Sequence, residues 1–251
     1  MTVENEKDLI GLMTIGRIVG ECLNYMLEHV EPGMSTADID EMGASFLKKH
    51  GARSAPILAY KFPGYTCISI NDEAAHGIPR KDVFIQAGDM VNVDVSAEKD
   101  GYWADNGRSI VVPPVAPERQ RLVDASKKAL DIAISKARAG MPISEIGKAV
   151  ETYAKKQGFA IIRDLGGHGV GRGIHEEPSV PHHYDRRDRR GRKRLKEGMV
   201  LTLEPFLTTG AQHIDTDPDG WTLRTTDGSL VAQHEHTVVI TKDKPILVTA
   251  V

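Results

Sequence analysis

The sequence predicts an α+β domain of two pseudo-symmetric halves, about 1–112 and 113–251. Three observations predict it. Two pairs of helical segments recur at an offset of 107 residues. Each pair is followed by an alternating strand that ends in a carboxylate, GDMVNVD at Asp94 and GMVLTLE at Glu204. No Pro/Ser-rich linker separates the halves, so they read as one domain.

The first helix is set by Leu9, Ile10, Met13, Ile15 and Ile18, continues through Leu23, Met26 and Leu27, and ends before Pro32-Gly33. The second starts near Ser35 or Thr36, either of which can cap the free amides of a first turn, and stops at Gly51. A third begins near Arg119, carries Leu122, Ala125, Ala129, Ile132 and Ala133, and ends at Gly140. A fourth runs through Ile146, Val150, Tyr153 and Ala154 to Gly158. Placing Gly33 on Gly140 aligns Met34 with Met141, Ile39 with Ile146, Lys48 with Lys155, Lys49 with Lys156 and Gly51 with Gly158. Those are six identities in the 20 positions from 33 to 52, the mark of an internal duplication.

The strands repeat the plan. Val91, Val93 and Val95 point one way, with Asn92, Asp94 and Ser96 opposite. Leu201 and Leu203 point one way, with Thr202 and Glu204 opposite. In each half a carboxylate therefore sits on the polar face of a half-buried strand.

Composition excludes several classes. With 251 residues, 40% of them hydrophobic and 27% charged, the chain can build a core without staples. The net charge of -3 gives no whole-chain bias toward nucleic acid. Two cysteines, Cys22 and Cys67, make no disulfide framework. The polar, acidic start MTVENEKDL lacks the pattern of a secretory signal, and no apolar run approaches the ~18 residues of a membrane span. A soluble cytoplasmic protein with no membrane partner is expected.

Four carboxylates, Asp94, Asp105, Glu204 and Glu235, lie in or beside strand-like segments, two in each half. Alone, each reads as a surface charge. Together, on strands that pack inside a domain, they would repel one another and lose hydration unless cations neutralise them. Two divalent ions would balance four carboxylates, and carboxylate oxygen with imidazole nitrogen suits Mn, Fe, Co or Zn. His168 and His175 lie in GGHGVGRGIHEEP, and His76 in NDEAAHGIP. His29, His50, His182, His183 and His213 read as surface or loop residues. The segment lacks both the spacing of a dinucleotide-binding loop and the HExxH pair.

The ordered set CISINDEAAHGIP, VNVDVS, GYWAD, GGHGVGRGIHEEP, LTLEP and WTLRTTDGSLVAQHEHT resembles the bacterial type I methionine aminopeptidases along nearly the whole chain. The resemblance implies a pita-bread fold, in which two pseudo-symmetric halves surround a central antiparallel sheet. It implies two divalent metal ions (Co, Mn, Fe, Zn or Ni) held by Asp94, Asp105, His168, Glu204 and Glu235, with Asp105 and Glu235 bridging. It also implies a monomer that removes the N-terminal methionine of nascent chains and peptides when the second residue is small. His76 and His175 would face substrate, with Glu204 as a proton shuttle. Phe62, Tyr65, Cys67, Ile174 and Trp221 are candidates for the apolar first-residue pocket. The chain departs from the family pattern at Ala75, at Asn106-Gly107 after Asp105, and at Ile174, where cysteine, a hydroxyl residue and an aromatic are common.

Two other readings share this fold. Proline-specific aminopeptidases and dipeptidases carry a preceding domain, for which a first helix beginning by residue 9 leaves no room. Metal-free nucleic-acid-binding relatives lose the ligands that this chain keeps. A remaining feature is DRRDRRGRKRLK (185–196), with eight basic and two acidic residues. It reads as a solvated loop or as a ribosomal RNA contact.

Overall fold

A computed structural model describes residues 1–251, the side chain of residue 190 excepted. The chain opens with α1 (Glu6–Glu28) and α2 (Thr36–Lys49), followed by β1 (Arg53–Ser54), a short α3 (Ala55–Tyr60), β2 (Cys67–Ile70), β3 (Glu73–Ala75), β4 (Met90–Lys99) and β5 (Tyr102–Val111). It continues with α4 (Pro117–Lys136), α5 (Ser144–Lys156), β6 (Ala160–Ile161), β7 (Gly166–Gly169) and β8 (Glu176–Pro181). A 3₁₀ turn at Arg190–Arg192 precedes β9 (Val200–Leu203), β10 (Phe206–Thr208), β11 (Ile214–Thr216), β12 (Leu223–Thr225), β13 (Val231–Gln233), β14 (His236–Val239) and β15 (Ile246–Leu247).

The helix ends follow from local chemistry. Asn5 caps α1 by accepting from the Asp8 amide at 3.0 Å. Ser35 and Asp38 form a reciprocal capping box on α2. Pro117 opens α4 two residues ahead of the expected start, in the first turn where its missing N–H costs nothing. The offset of 107 carries α2 onto α5, and the bounding glycines share left-handed backbones: φ is 91° at Gly33 and 86° at Gly140, 65° at Gly51 and 81° at Gly158. On α1 the buried stripe is Leu12, Ile15, Val19, Leu23 and Met26, whereas Ile10 is 59% exposed.

Two antiparallel sheets dominate, one ordered β1-β4-β2 with β5 on β4, the other β15-β14-β9-β7-β8. Each carries its helix pair on one face. Val91, Val93 and Val95 pack with Leu12, Ile15 and Leu23. Leu201 and Leu203 pack with Leu122, Ile146 and Val150. Burying such side chains contributes roughly 1.5–3 kcal/mol apiece. The sheets are joined by the Glu235 amide, which donates to Gly107 O at 2.9 Å, and by a bridge between Arg108 and His234. Thr237 adds a reciprocal pair: its Oγ1 accepts from the Asp105 amide at 2.9 Å and donates to Asp105 O at 2.8 Å.

The polar faces of β4 and β9, expected to be half-open to water, are covered as well. Asn92, Ser96 and Thr202 are buried. His168 of β7 brings its Nε2 to 3.8 Å from Asp105 Oδ2 of β5, so the faces opposite the helices meet each other, and Asn92 reaches Gln233 of β13 between them. Among the described residues, no helix is long and apolar enough to cross a membrane.

The basic segment links β8 to β9. Arg186, Arg187, Arg189, Arg192, Lys193, Arg194 and Lys196 are exposed, and the Arg190 side chain lies outside the described residues. Buried Leu195 anchors the segment, with its amide on Met141 O at 2.9 Å and its carbonyl on the Gly140 amide at 2.8 Å.

Candidate active site

The β4–β5 hairpin builds one wall of the site. Its register sets Asp94 opposite Gly107 and Ser96 opposite Asp105. Directly opposed residues share a face, so the two aspartates project to the same side. Their carboxyl groups are close enough to act on each other's protonation. The other sheet supplies the rest. On β7 the pairing with β8 shifts register between Gly167 and Gly169, a bulge that re-aims His168. The His168 Nε2 stands 3.4 Å from Glu204 Oε1 and 3.8 Å from Asp105 Oδ2. Thr202 Oγ1 ties the group together, accepting from the His168 amide at 3.0 Å and donating to Glu204 Oε1 at 2.7 Å.

Glu235 is held from behind. Gln233 Nε2 donates to Glu235 Oε2 at 2.9 Å, and Asn92 Nδ2 donates to Gln233 Oε1 at 2.9 Å. Ser109 Oγ accepts from both Asn92 Nδ2 and the Gln233 amide. Gly107 makes this arrangement possible, because a Cβ there would stand 2.5 Å from Gln233 Oε1. Gly107, two residues after Asp105, thus leaves room for the Gln233 carboxamide. Gly107→Ala is expected to displace Gln233 and weaken metal retention by about 10–100-fold, as loss of an outer hydrogen-bond partner does. Metal-binding titration would check this, and Gln233→Ala should share the defect.

The electrostatics are those of a cation site. Burial pushes Asp94 up to about 6 and Glu204 up to about 8. Burial, with the neighbouring carboxylates, also holds Asp105 and Glu235 well above the usual carboxylate range. Burial also holds His168 down at about 3, so it offers a neutral imidazole. Asp105 Oδ1 and Glu235 Oε1 are buried with no hydrogen-bond partner. One ligand atom from each of Asp105, His168 and Glu235 lies within 4.8 Å of the others. Orphaned oxygens and a neutral imidazole converging in this way fit divalent metal ions.

A cavity of about 270 Å³ adjoins the cluster. Its apolar wall includes Phe62, Cys67, Ile174 and Trp221, with Phe62 edge-on to Trp221 at 5.3 Å between ring centroids. Asp219 fixes the Trp221 turn by accepting from the Trp221 and Thr222 amides at 2.8 and 2.9 Å. Burial and the neighbouring Asp94 hold the Cys67 thiol protonated. Tyr65 is not brought here. Its amide is pinned to the Asp40 carboxylate, and its exposed ring lines a different surface groove with Arg53 and Ser54. His76 and His175 stand at the mouth. His76 has φ 55°, a left-handed backbone uncommon outside glycine and characteristic of functional positions. Burial, then His175, lowers His76 to about 4.

Two site residues escaped sequence reading. Tyr60, at the end of α3, places its hydroxyl 2.6 Å from His175 Nδ1. Pro56, in the first turn of α3, lines the same cavity. The sequence signal was a serine followed by proline, Ser54-Ala55-Pro56, which caps and opens a helix too short to show a period. His182 corrects the surface reading. It is 1% exposed, and its Nε2 accepts from the Glu204 amide at 3.4 Å. His29 and His213 are exposed, as expected.

A buried carboxylate–imidazole cluster on paired sheets, beside a cavity with an apolar wall, is the site of a metallopeptidase. The profile of Metallopeptidase family M24 matches residues 11–242, and the chain belongs to that family. It is 46% identical over 250 residues to methionine aminopeptidase 2 of Bacillus subtilis strain 168, covering 99% of each chain. It is 40% identical to the methionine aminopeptidase of Aquifex aeolicus, covering 98% of this chain and 97% of that one. The crystal structure of methionine aminopeptidase from Rickettsia prowazekii superposes with a TM-score of 0.93 at 36% identity, each chain covered in full. A prolidase from Pyrococcus furiosus, 22% identical, shares the fold with a TM-score of 0.78, and the match covers 66% of that chain. The architecture is the pita-bread fold, and the family depends on divalent metal ions.

Proposed function

We propose that this protein is a metal-dependent aminopeptidase that removes the N-terminal methionine of nascent chains and peptides whose second residue is small. The observation that carries this is the juxtaposition of the carboxylate–imidazole cluster with an open-mouthed cavity whose apolar wall suits a methionine side chain. Asp94, Asp105, His168, Glu204 and Glu235 would hold two divalent ions, of manganese, cobalt, iron, zinc or nickel. Bound there, the ions supply Lewis acidity, which activates water at neutral pH and polarises a carbonyl.

The chain's own residues do the remaining work. Phe62, Cys67, Ile174 and Trp221 exclude water from the first side chain. His175 donates to the oxygen that gains charge as the first peptide bond is attacked. With the Tyr60 hydroxyl donating to Nδ1, the ring proton stands on Nε2, the atom needed for that donation. His76 contacts the scissile amide nitrogen, and Glu204 moves a proton to the leaving amine through its carboxylate. The test is a panel of Met-Xaa-Ser peptides followed by mass spectrometry. Release of methionine is expected for Gly, Ala, Ser, Thr, Cys, Pro and Val in second place. Efficient cleavage of Met-Arg or Met-Phe peptides would defeat the assignment.

The proposal extends to setting. The chain works as a single catalytic domain of two related halves, about 1–112 and 113–251, as a cytoplasmic monomer. The seven described exposed cations between 186 and 196 support a ribosome contact, because dense positive charge attracts phosphate backbones and releases counterions. Co-sedimentation with ribosomes is expected at low salt and not at high salt. It should be lost when these arginines become glutamines, with peptide hydrolysis unchanged. Equal sedimentation of both proteins would leave a solvated loop.

A further inference from the structure

Residues 170–175 join β7 to β8 and carry His175, yet glycine at 171 and 173 gives them little stiffness of their own. Gly171 takes φ 127°. Much of what holds this loop comes from the first half of the chain. The Trp103 amide donates to Gly171 O at 3.1 Å. The Arg172 guanidinium divides its fork, with Nη1 donating to Gly101 O at 3.1 Å and Nη2 to Asp8 Oδ1 at 2.7 Å. Its Cζ lies over the Tyr102 ring, 4.0 Å from the centroid. The Tyr102 hydroxyl donates to the same Asp8 oxygen at 3.0 Å, and Asp8 is buried in the first turn of α1. From β8, Glu176 Oε1 accepts from the Arg172 and Gly173 amides at 2.6 and 2.8 Å.

Gly101 and Tyr102 lie at the tip of the β4–β5 hairpin, whose body carries Asp94 and Asp105. Arg172 therefore sets the loop against the same hairpin that builds one wall of the carboxylate cluster. Three residues further on, the His175 ring lies 4.3 Å from the His168 ring between centroids. The Arg172 side chain is half exposed, so its ion pair with Asp8 adds little to overall stability. Its fork fixes a geometry instead. A planar group with a ring beneath it and acceptors at two corners has one seat, which a lysine ammonium cannot reproduce. An oxyanion donor is sensitive to such placement, because a shift of about 1 Å can cost on the order of 10²-fold in rate.

We infer that Arg172 is a positioning residue, which latches the loop at 170–175 to Asp8, Gly101 and Tyr102 so that His175 faces the carboxylate cluster. The inference rests on the proposed aminopeptidase reaction, in which His175 is the oxyanion donor. The experiment compares manganese-loaded wild type, Arg172→Gln, Arg172→Lys, Asp8→Asn and the double variant Asp8→Asn/Arg172→Gln. Backbone hydrogen exchange is read by mass spectrometry, and kcat, KM and bound metal are measured with Met-Ala-Ser. In Arg172→Gln, exchange at 170–176 should quicken and kcat should fall about 10–100-fold, with KM altered less and bound metal unchanged. Arg172→Lys, which keeps the charge and loses the fork, should fall between wild type and Arg172→Gln. The double variant should lose no more turnover than Arg172→Gln alone, because both substitutions open one latch. If Arg172→Gln fails to fold, Asp8→Asn, which keeps the shape of the side chain, decides by the same two readouts. If wild type itself released no methionine, the peptidase reading would fall and the exchange comparison alone would decide whether the latch holds the loop. Wild-type exchange at 170–176 in the folded variants would overturn the inference. So would turnover that stays at the wild-type value while the loop opens, or turnover lost in step with bound metal.

Discussion

Asp105→Ala and Glu235→Ala should each abolish methionine release from Met-Ala-Ser while leaving the protein folded. Each removes a buried oxygen that has no hydrogen-bond partner among the described residues, Asp105 Oδ1 or Glu235 Oε1. Each also opens the cluster in which Asp105, His168 and Glu235 bring ligand atoms within 4.8 Å of one another. The loss should exceed the ~10–100-fold that follows from deleting an outer hydrogen-bond partner. The same substitutions should stabilise the metal-free protein, because they remove a carboxylate that repels its neighbours in a desolvated site. The pH dependence follows. Folding raises Asp94 from 3.8 to about 6 and Glu204 from 4.5 to about 8. Groups raised by folding contribute stability that is full below the ordinary value and is lost as pH rises through the raised one. Metal-free wild type should therefore lose heat stability from about pH 4 to about pH 8, and the variants should lose less. Calorimetric melting across that range measures it. Equal slopes for wild type and variants would count against the repulsion.

His175→Ala should lower turnover by roughly 10²–10³-fold, the usual cost of one oxyanion donor, with little change in bound metal. His175 stands at the mouth of the cavity, outside the group of atoms that suits the ions. His168→Ala should instead weaken one metal site, because its Nε2 lies among the carboxylates. Tyr60→Phe should leave metal and KM in place and cost about fivefold in turnover, the worth of one hydrogen bond of about 1 kcal/mol. Steady-state kinetics with metal analysis on the three variants separates these roles. Equal metal loss in His175→Ala and His168→Ala would erase the distinction.

The helices and the alternating strands were legible because their signals are local. Periodicity marked α1, α2, α4 and α5, and the repeated glycines bounded them. The six residues of α3 are too few and too uniformly apolar to show a period, so Tyr60 passed unnoticed although it touches His175. The alternation of β4 separated its two faces correctly. It could not show that the polar face would meet a second polar face rather than water, because that depends on how the sheets assemble. The same limit explains His182, whose burial is set by packing under Glu204, and Tyr65, which neighbours the pocket in sequence and faces away from it in space. Gly107, in the Asn106-Gly107 pair where a hydroxyl residue is common after the aspartate, carried no structural signal of its own in the sequence. Only the approach of Gln233 from the other half gives it a reason.

The central claim is that five side chains form a two-ion site that drives methionine removal. Native mass spectrometry of the metal-stripped protein during manganese titration, with free methionine measured in the same samples from Met-Ala-Ser, tests it most directly. The expected result is uptake of two ions by wild type, methionine release that follows occupancy and is absent before metal is added, and neither full uptake nor release in Glu235→Ala. Full-rate methionine release from protein shown to contain no metal would contradict it.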